Sequence, residues 1–570
     1  MPDDAVTRAP LRVGAAVAGG QYELPVYPFV EPAELRGALG RHPVAIVGAG
    51  LTGLTLACDL ALRGIPAVVL DEDDTVGVRG AASRGICYAQ RSLEIFQRLG
   101  IYERMLKAGV RWSVGRTYAG DDEVYSFDLR RQRTHDASRQ PAFVNLQQFY
   151  VEWYLVDRLY ELGTVELRWR NRVTGVVARD DEVVLDVETP AGTFRLAASW
   201  VVDCSGSHSP VRGWAGVGVL SNRSLDRWCI SDVRLRLRQP AERRTWIEAP
   251  FNDGRAVWQH LMADGVWRLD YQMPADADPD EISRPDVVGQ RLRRQFGPEV
   301  EYELVWIGAY AYRSECLERF RAGRVLFAGD AAHVMSPFGA RGGNSGIQDA
   351  DNLGWKLALV VAGGAPERLL DGYDEERRTA AHENIRITRR TTRFLSPPTD
   401  NERLWRQAVI SLAREYPFAR AFVDTGRLSS PSHYRGSTLN CGAGGGRPIA
   451  NIALQLPDGR SADLVMLFEV FDGMLLALLF GPVDERRSLE LAVLARRYPV
   501  RFVCVLDGGG QEGALPAAVD AQRRLAEQAG ARHGDCALLR PDLYLAGTLP
   551  QPAVADIEHA LRTVLALEAR

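Results

Sequence analysis

HPVAIVGAGLTGLTLACDLALRGIPAVVLD, from His42 to Asp71, is the stretch on which the fold of this chain turns. Val44 to Val47 is an apolar, largely β-branched run of the length of a buried strand. Gly48, Gly50 and Gly53 follow as a turn, an amphipathic helix runs on to about Gly64, and a second apolar run, Ala67 to Leu70, is closed by Asp71. Strand, glycine turn, helix, strand and acid in this order form a dinucleotide-binding fingerprint. Gly48 then makes the tight turn, Gly50 lets the backbone approach a pyrophosphate, and Gly53 lets the helix pack on the strand. The phosphates belong at the helix start, where free N–H groups and the positive end of the helix dipole attract an anion. Asp71 stands where a carboxylate accepts the ribose hydroxyls of an AMP half.

Around this unit lie 570 residues, enough for about three or four domains. A hydrophobic content of 46% and a charged content of 25% are those of a soluble globular chain. The formal net charge of -4 leaves no basic excess, which argues against nucleic acid or an anionic membrane as partner. Cys58, Cys87, Cys204, Cys229, Cys316, Cys441, Cys504 and Cys536 are scattered, without CxxC or histidine at metal spacing, so reduced thiols in a cytoplasmic protein are expected and no metal. MPDDAVTRAP has no positive n-region before an apolar core, and no apolar run is long enough to span a bilayer.

Residues 1–40 read as an N-terminal extension. In SRGICYAQRSLEIFQRLG, Ser83 to Gly100, Leu93, Ile95, Phe96 and Leu99 recur at helical spacing and Gly100 caps the end. Arg84 and Arg91 sit at or before that helix start, where a cation gains nothing from the dipole; a bound anion or plain solvation would each account for them. Residues 112–143 suggest a hairpin, and Asn145 to Leu162 an amphipathic helix. Val173–Ala178 and Val183–Thr189 read as paired strands, and Trp200–Asp203 as a buried strand entering the turn CSGSHSPVR.

From about Arg223 to Tyr312 the pattern alternates, most clearly in the hairpin Ala256–Met273 turning at Asp264 and Gly265. Its second strand sends Arg268, Asp270 and Gln272 one way and Tyr271 the other. The chain returns with GRVLFAGDAAHVMSPFGARGGNSGIQDADNLGWKLALVV, Gly323 to Val361, a buried strand whose glycine-rich loop opens a helix near Asn344. Helices Asp371–Phe394 and Asn401–Val423, a linker Leu428–Arg447, and a separate α/β module with a helix Ala517–Gly530 complete the reading. Two-residue-period strands inserted between parts of a nucleotide fold give an α/β class overall.

Taken together, GxGxxG with Asp71, the RG-to-RSLE segment, Gln148 with Glu152, the turn at Gly206, and above all GDAAH with PFGARGGNSGIQDADNLGWKLA resemble the flavoprotein aromatic hydroxylases. Within these FAD-dependent monooxygenases the chain is most similar to the hydroxyphenylpropionate and polyketide hydroxylase branch. The resemblance spans residues 43–440, and the rest is similar to the thioredoxin-like domain of several members. It implies a discontinuous Rossmann-like FAD-binding domain (41–115, 145–220 and 315–395), an inserted, mostly antiparallel substrate sheet (116–144 and 221–314), a helical segment and linker (396–447) and a thioredoxin-like domain (448–570). Cys504 has no partner cysteine, so thioredoxin redox chemistry is not expected.

Carried over by position, FAD is expected against Gly48, Gly50, Leu51, Thr52, Gly53, Asp71, Glu72 and Gly206, with Arg84 and Gln148 toward its phosphates and Arg91 at a further family position. Gly329 and Asp330 would meet the ribityl chain, and Pro337, Gly342, Gly343 and Asn344 the isoalloxazine ring. A helix N-terminus at that ring stabilises charge near N1 of the reduced flavin by roughly 0.3 to 2 kcal/mol. Two departures stand out: Ser205 replaces the Asp usual before Gly206, which bears on reductant binding, and Gly343 stands where Met is commoner.

The expected activity is hydroxylation of a phenolic or polycyclic aromatic substrate with NADPH or NADH and O2 through a C4a-hydroperoxide, in a monomer or homodimer. The alternatives are a flavin dehydrogenase or reductase without oxygen insertion, and a non-catalytic FAD-binding partner. His260, Arg268, Asp270, Tyr271 and Gln272 are polar candidates for the substrate pocket; alternation forbids all of them lining one wall. His333, in the GDAAH turn, reads as structural.

Overall fold

The computed structural model describes residues 22–37, 40–77, 85–131, 138–423, 428–470, 474–508 and 515–568, so Arg84 lies outside the described residues. The strand Gly40–Val47 is central to a sheet in which it pairs in parallel with Ala67–Leu70 on one side and Gly192–Asp203 on the other. Val165–Arg168 and Val325–Phe327 extend it, again in parallel. Val44, Ala45 and Ile46 are fully buried, the expected fate of a β-branched run between helix layers. The hairpin Arg172–Ala178 and Val183–Thr189 pairs antiparallel on Gly192–Asp203, making the sheet mixed.

A second, mostly antiparallel sheet runs in the order His333–Val334, Tyr302–Leu317, Val219–Leu235, Val266–Met273, Arg255–Leu261, Arg243–Ala249, Val114–Ala119, Asp122–Asp128. Its outer face carries Trp267, Leu269 and Tyr271 onto Val288 and Leu292 of the helix Pro285–Phe296. Its inner face packs Trp228 and Trp258 against Phe338. The stretch expected to be helical from Ser83 begins instead as a strand, Cys87–Ala89, and only Gln90–Leu99 is helix. The Asn344 side chain explains this: it accepts from the Ala89 N–H at 2.9 Å and donates to the Cys87 carbonyl at 2.8 Å, claiming both groups that a helix would use.

In the C-terminal part, Leu475–Phe480 lies between Val500–Leu506, parallel, and Cys536–Leu539, antiparallel. The expected helix Ala517–Gly530 is a strand, Ala517–Val519, followed by a short helix, Arg524–Ala529. Asp520 divides them, its carboxylate accepting from the N–H groups of Arg524, Leu525 and Ala526 at 3.0, 2.8 and 3.1 Å. Likewise the helix expected to reach Val423 stops at Glu415, because Pro417 removes a donor and clashes with the preceding turn. The described residues hold no helix long and apolar enough to cross a membrane and no metal-ligating cluster.

An ionic knot joins this C-terminal part to the rest. Arg540 donates to Glu376 and to Asp542, and Lys356 donates to Glu376 at 2.7 Å, all with side chains out of contact with water. Asn352 donates to both carboxylates, and Arg540 and Lys356 lie 5.4 and 5.5 Å from the centre of the Trp355 ring. Burial pulls the Lys356 ammonium down to about 8, while Arg540 and Lys356 overcome burial and hold Glu376 well below the usual carboxylate range. Two cations and two anions balance, so deleting one member strands a buried charge. Arg540→Leu is expected to destabilise the chain by about 3 to 5 kcal/mol. Urea unfolding followed by tryptophan fluorescence checks this; a loss under about 1 kcal/mol, the scale of an exposed pair, would contradict the knot.

Candidate active site

Gly48 takes φ +102°, and a Cβ there would come within 2.7 Å of the Cys204 carbonyl oxygen. At Gly53 a Cβ would lie 2.0 Å from the Gly48 carbonyl oxygen, so the helix Leu51–Leu62 reaches the strand end only without a side chain. Around Gly50, Gly206 and Gly342 the space stays open: a Cβ meets nothing nearer than 3.9 Å at Gly50 and nothing within 4 Å at the other two. Asp71 accepts from the N–H groups of Ala49 and Asp73, which fixes its carboxylate at the glycine turn, and burial lifts it to about 6. A half-buried acid with spare lone pairs beside an open glycine cradle fits the ribose of a dinucleotide. Glu72 is exposed and lies 3.6 Å from Arg172.

Glu152 holds this turn from behind. Its carboxylate accepts from Leu51 N–H at 3.0 Å, Gly77 N–H at 2.8 Å and the Gln148 amide at 2.8 Å, and Gln148 in turn accepts from Gly85 N–H at 3.0 Å. Gln148 thus lies at the cradle. Arg91 does not. It donates to the carbonyls of Ile449 and Leu543 and pairs with Glu94 at 2.9 Å, so its charge is spent on the seam with the C-terminal part rather than on an anion at the cradle.

The second glycine loop closes on the same place. Gly329 has φ +61° and donates to Asp349 at 3.0 Å; Asp330 follows, exposed. Arg212, from the turn after Gly206, donates to the carbonyls of Asp330 and Ala331 and so ties the two loops. Inside that turn the carboxylate is supplied by Asp203: it accepts from the Ser205 N–H and hydroxyl at 3.0 and 2.6 Å and from Ser209. The helix Gly342–Val361 begins two residues before Asn344, and its first N–H groups face the loop Pro337–Gly342. Asn344 itself is bound internally, to Ala89, Ser92, Cys87 and Ala340. At Gly343 a Cβ would meet Leu51 at 3.4 Å, an ordinary contact.

Behind this helix, Asp349 accepts from Arg377 at 2.6 Å and pairs with His333 at 2.7 Å, all three fully buried. Burial works against ionisation, but His333 and Arg377 win and hold Asp349 at about 2. His333 is thereby a structural residue of the loop, as its sequence context suggests.

Between the flavin-type loop and the second sheet lies an aromatic wall. The Phe338 ring stands 4.8 Å from Trp258, 5.5 Å from Trp228 and 5.9 Å from Tyr312, each edge-on. Arg243 stacks over Trp258 at 4.7 Å, with burial pulling it down to about 10. Of the polar candidates, Arg268 donates to Asp270 at 2.9 Å, and Gln272 accepts from Ala256 N–H and donates to Ser396. Tyr271 is turned to the outer face, donating to Gln295 at 2.6 Å, which removes it from the pocket. The His260 ring has a 3.9 Å contact with Cys87 and lies 6.4 Å from Trp258, and burial, then Arg243 and Arg268, push it well below the usual histidine range. Trp228, Trp258 and Phe338 were not singled out from sequence. Trp258 could have been, since it shares a strand face with His260; Trp228 carries no such signal.

The model of the FAD binding domain family matches residues 41–388. This chain belongs to the flavoprotein aromatic hydroxylases. Its relatives include the 3-(3-hydroxy-phenyl)propionate/3-hydroxycinnamic acid hydroxylase of Mycolicibacterium gilvum (strain PYR-GCK), 32% identical over 70% of this chain and 68% of that one. The enzyme of the same name from Mycobacterium avium (strain 104) is 29% identical over 92% of this chain and 93% of its own. Among solved structures, the flavin-dependent monooxygenase PieE in complex with FAD and substrate shares the fold, with TM-score 0.77 and 21% identity over 93% of this chain and 99% of that one. The matched FAD-binding domain of this flavoprotein hydroxylase thus spans the glycine cradle, Asp71 and the start of the Gly342 helix.

Gly53→Ala is expected to weaken FAD binding by at least about tenfold, or 1.4 kcal/mol, as read by the visible spectrum of protein titrated with FAD; unchanged affinity would contradict the cradle. The Asp349 pair makes a pH prediction. A carboxyl lowered from 3.8 to about 2 adds stability that is complete above pH 4 and is lost as the pH falls toward 2. Wild type should thus lose about 2 kcal/mol more than Asp349→Asn between those values in urea titrations, and parallel curves would contradict it.

Proposed function

We propose that this flavoprotein hydroxylates a phenolic or polycyclic aromatic substrate with NAD(P)H and O2. The observation that carries the reading is the aromatic wall, Phe338 of the flavin loop packed edge-on against Trp228, Trp258 and Tyr312 of the inserted sheet. Bound FAD supplies the two-electron chemistry with the nicotinamide and the activation of oxygen. The chain's own residues bind a flat apolar ring, exclude water from the reacting face, and hold the flavin edge against a positive helix end.

His260 is the group we assign to the substrate hydroxyl. The other candidates are consumed by partners or face away, whereas His260 lies on the inner face beside Trp258. Held neutral by burial and then by Arg243 and Arg268, it orients the hydroxyl and accepts its proton only transiently. His260→Ala is expected to lower kcat/KM roughly 100-fold while leaving the flavin spectrum unchanged. For the C-terminal part we propose a thioredoxin-like scaffold without redox chemistry, since its Cys504 is buried and free.

The test is NAD(P)H oxidation by the FAD-loaded protein with a panel of phenols and polycyclic phenols, with mass spectrometry of the products. Phenol-stimulated oxidation and a product heavier by one oxygen are expected. Oxidation of NAD(P)H with no oxygenated product from any phenol would instead favour a reductase, the reading toward which Ser205 points. His260→Ala with full activity would return the assignment of the substrate contact to Arg268 and Asp270.

A further inference from the structure

The helix Asp371–Leu395 has two unlike faces. Thr388, Thr391 and Leu395 are buried, and Thr392 lies with its hydroxyl 3.4 Å from that of Ser336, in the loop that leads to Phe338. The opposite face carries His382, Arg386, Arg389, Arg390 and Arg393, spaced so that all lie along one side of the helix. With Trp405 of the next helix, Asp400–Glu415, they line an open groove of about 500 Å³. Glu402 pairs with Arg393, but among the described residues no carboxylate lies within ion-pair distance of Arg386 or Arg389. Trp405 is 49% exposed.

Like charges stacked at three- and four-residue spacing destabilise the helix that carries them. Cations in such a row call for an anion, and guanidinium groups are suited to phosphate because they donate two parallel hydrogen bonds in a plane. An exposed indole beside them offers a stacking face for a flat ring. The groove is also close to the site already described. Phe394 lines it and belongs to the same apolar cluster as Phe338, Trp228 and Trp258.

We propose that this groove holds the adenosine phosphate end of the reductant, with Arg386 and Arg389 on its phosphates and the adenine against Trp405. The inference rests on the reading that a nicotinamide dinucleotide reduces the flavin. The chain has one dinucleotide fingerprint, which FAD fills, so the reductant binds elsewhere. Several guanidinium groups in a row favour the extra 2′-phosphate of NADPH over NADH, since a phosphomonoester adds nearly two negative charges.

The test uses the FAD-loaded full chain and its Arg386→Glu/Arg389→Glu variant, both exposed positions outside the FAD cradle. Binding of 2′,5′-ADP and of ADP is measured by calorimetry, NADPH-driven flavin reduction by anaerobic stopped flow, and dithionite reduction serves as control. The expected result is 2′,5′-ADP binding to wild type more tightly than ADP, at least tenfold weaker binding in the variant, and a matching rise in KM for NADPH. FAD content and dithionite reduction should not change. Nucleotide binding absent from wild type, or equal in the two proteins, would overturn the groove assignment while leaving hydroxylation intact. Nucleotide binding lost in the variant, with no flavin reduction by NADPH in either protein, would uphold the groove as a nucleotide site and overturn the reductant reading.

Discussion

The helix Gly342–Val361 is buried along nearly all of its length, and each ionisable side chain on it is matched by an opposite charge. Asp349 is held by His333 and Arg377, Asp351 by Arg98 at 2.6 Å, and Lys356 by Glu376. An unmatched charge at any of these depths would carry a penalty of several kcal/mol, comparable with a large part of a domain's net stability. The helix can therefore exist in this position only if its surroundings are assembled. Its first turn faces the flavin loop, its middle packs on the helix Leu51–Leu62 of the nucleotide fold, and its far half meets Arg540 and Asp542 of the C-terminal part through Glu376.

That constraint links fold to site. The positive end of the helix is held against the loop Pro337–Gly342 by pairs that lie two to four turns further along it. Asn344 adds a shorter link: by binding Ala89 and Cys87 it ties the loop to the strand from which Arg91 and Glu94 run to the C-terminal part. The C-terminal part is thereby tied to the helix and strand that carry the candidate site.

Much of this was legible in the sequence. The unit from His42 to Asp71 folds as its glycines and β-branched runs require, because the pattern is local and each residue has one physical task. The alternation in Val266–Met273 correctly separated Arg268 and Asp270 from Tyr271. What was hidden depends on distant partners. Ser83–Gly100 read as one helix because nothing nearby announces that Asn344, far along the chain, takes the Cys87 and Ala89 groups. Arg91 read as an anion ligand or a solvated cation, and proved to bind carbonyls of a domain that begins hundreds of residues later. Ala517–Gly530 has the composition of a single helix, yet Asp520 starts a helix of its own by capping Arg524, Leu525 and Ala526 and leaves Ala517–Val519 as a strand. The aromatic wall escaped notice because Trp228 and Trp258 sit on different strands and meet Phe338 only in the folded sheet.

Whether the glycine cradle and the start of the Gly342 helix form one FAD site is tested most directly by the electron density of the protein crystallised with FAD. The predicted result places the AMP ribose hydroxyls on Asp71, the pyrophosphate over Gly50, and the pyrimidine edge of the ring at the N–H groups of Gly342 to Asn344. Density for the dinucleotide away from Asp71, or a ring presenting its dimethylbenzene edge to that helix, would contradict it.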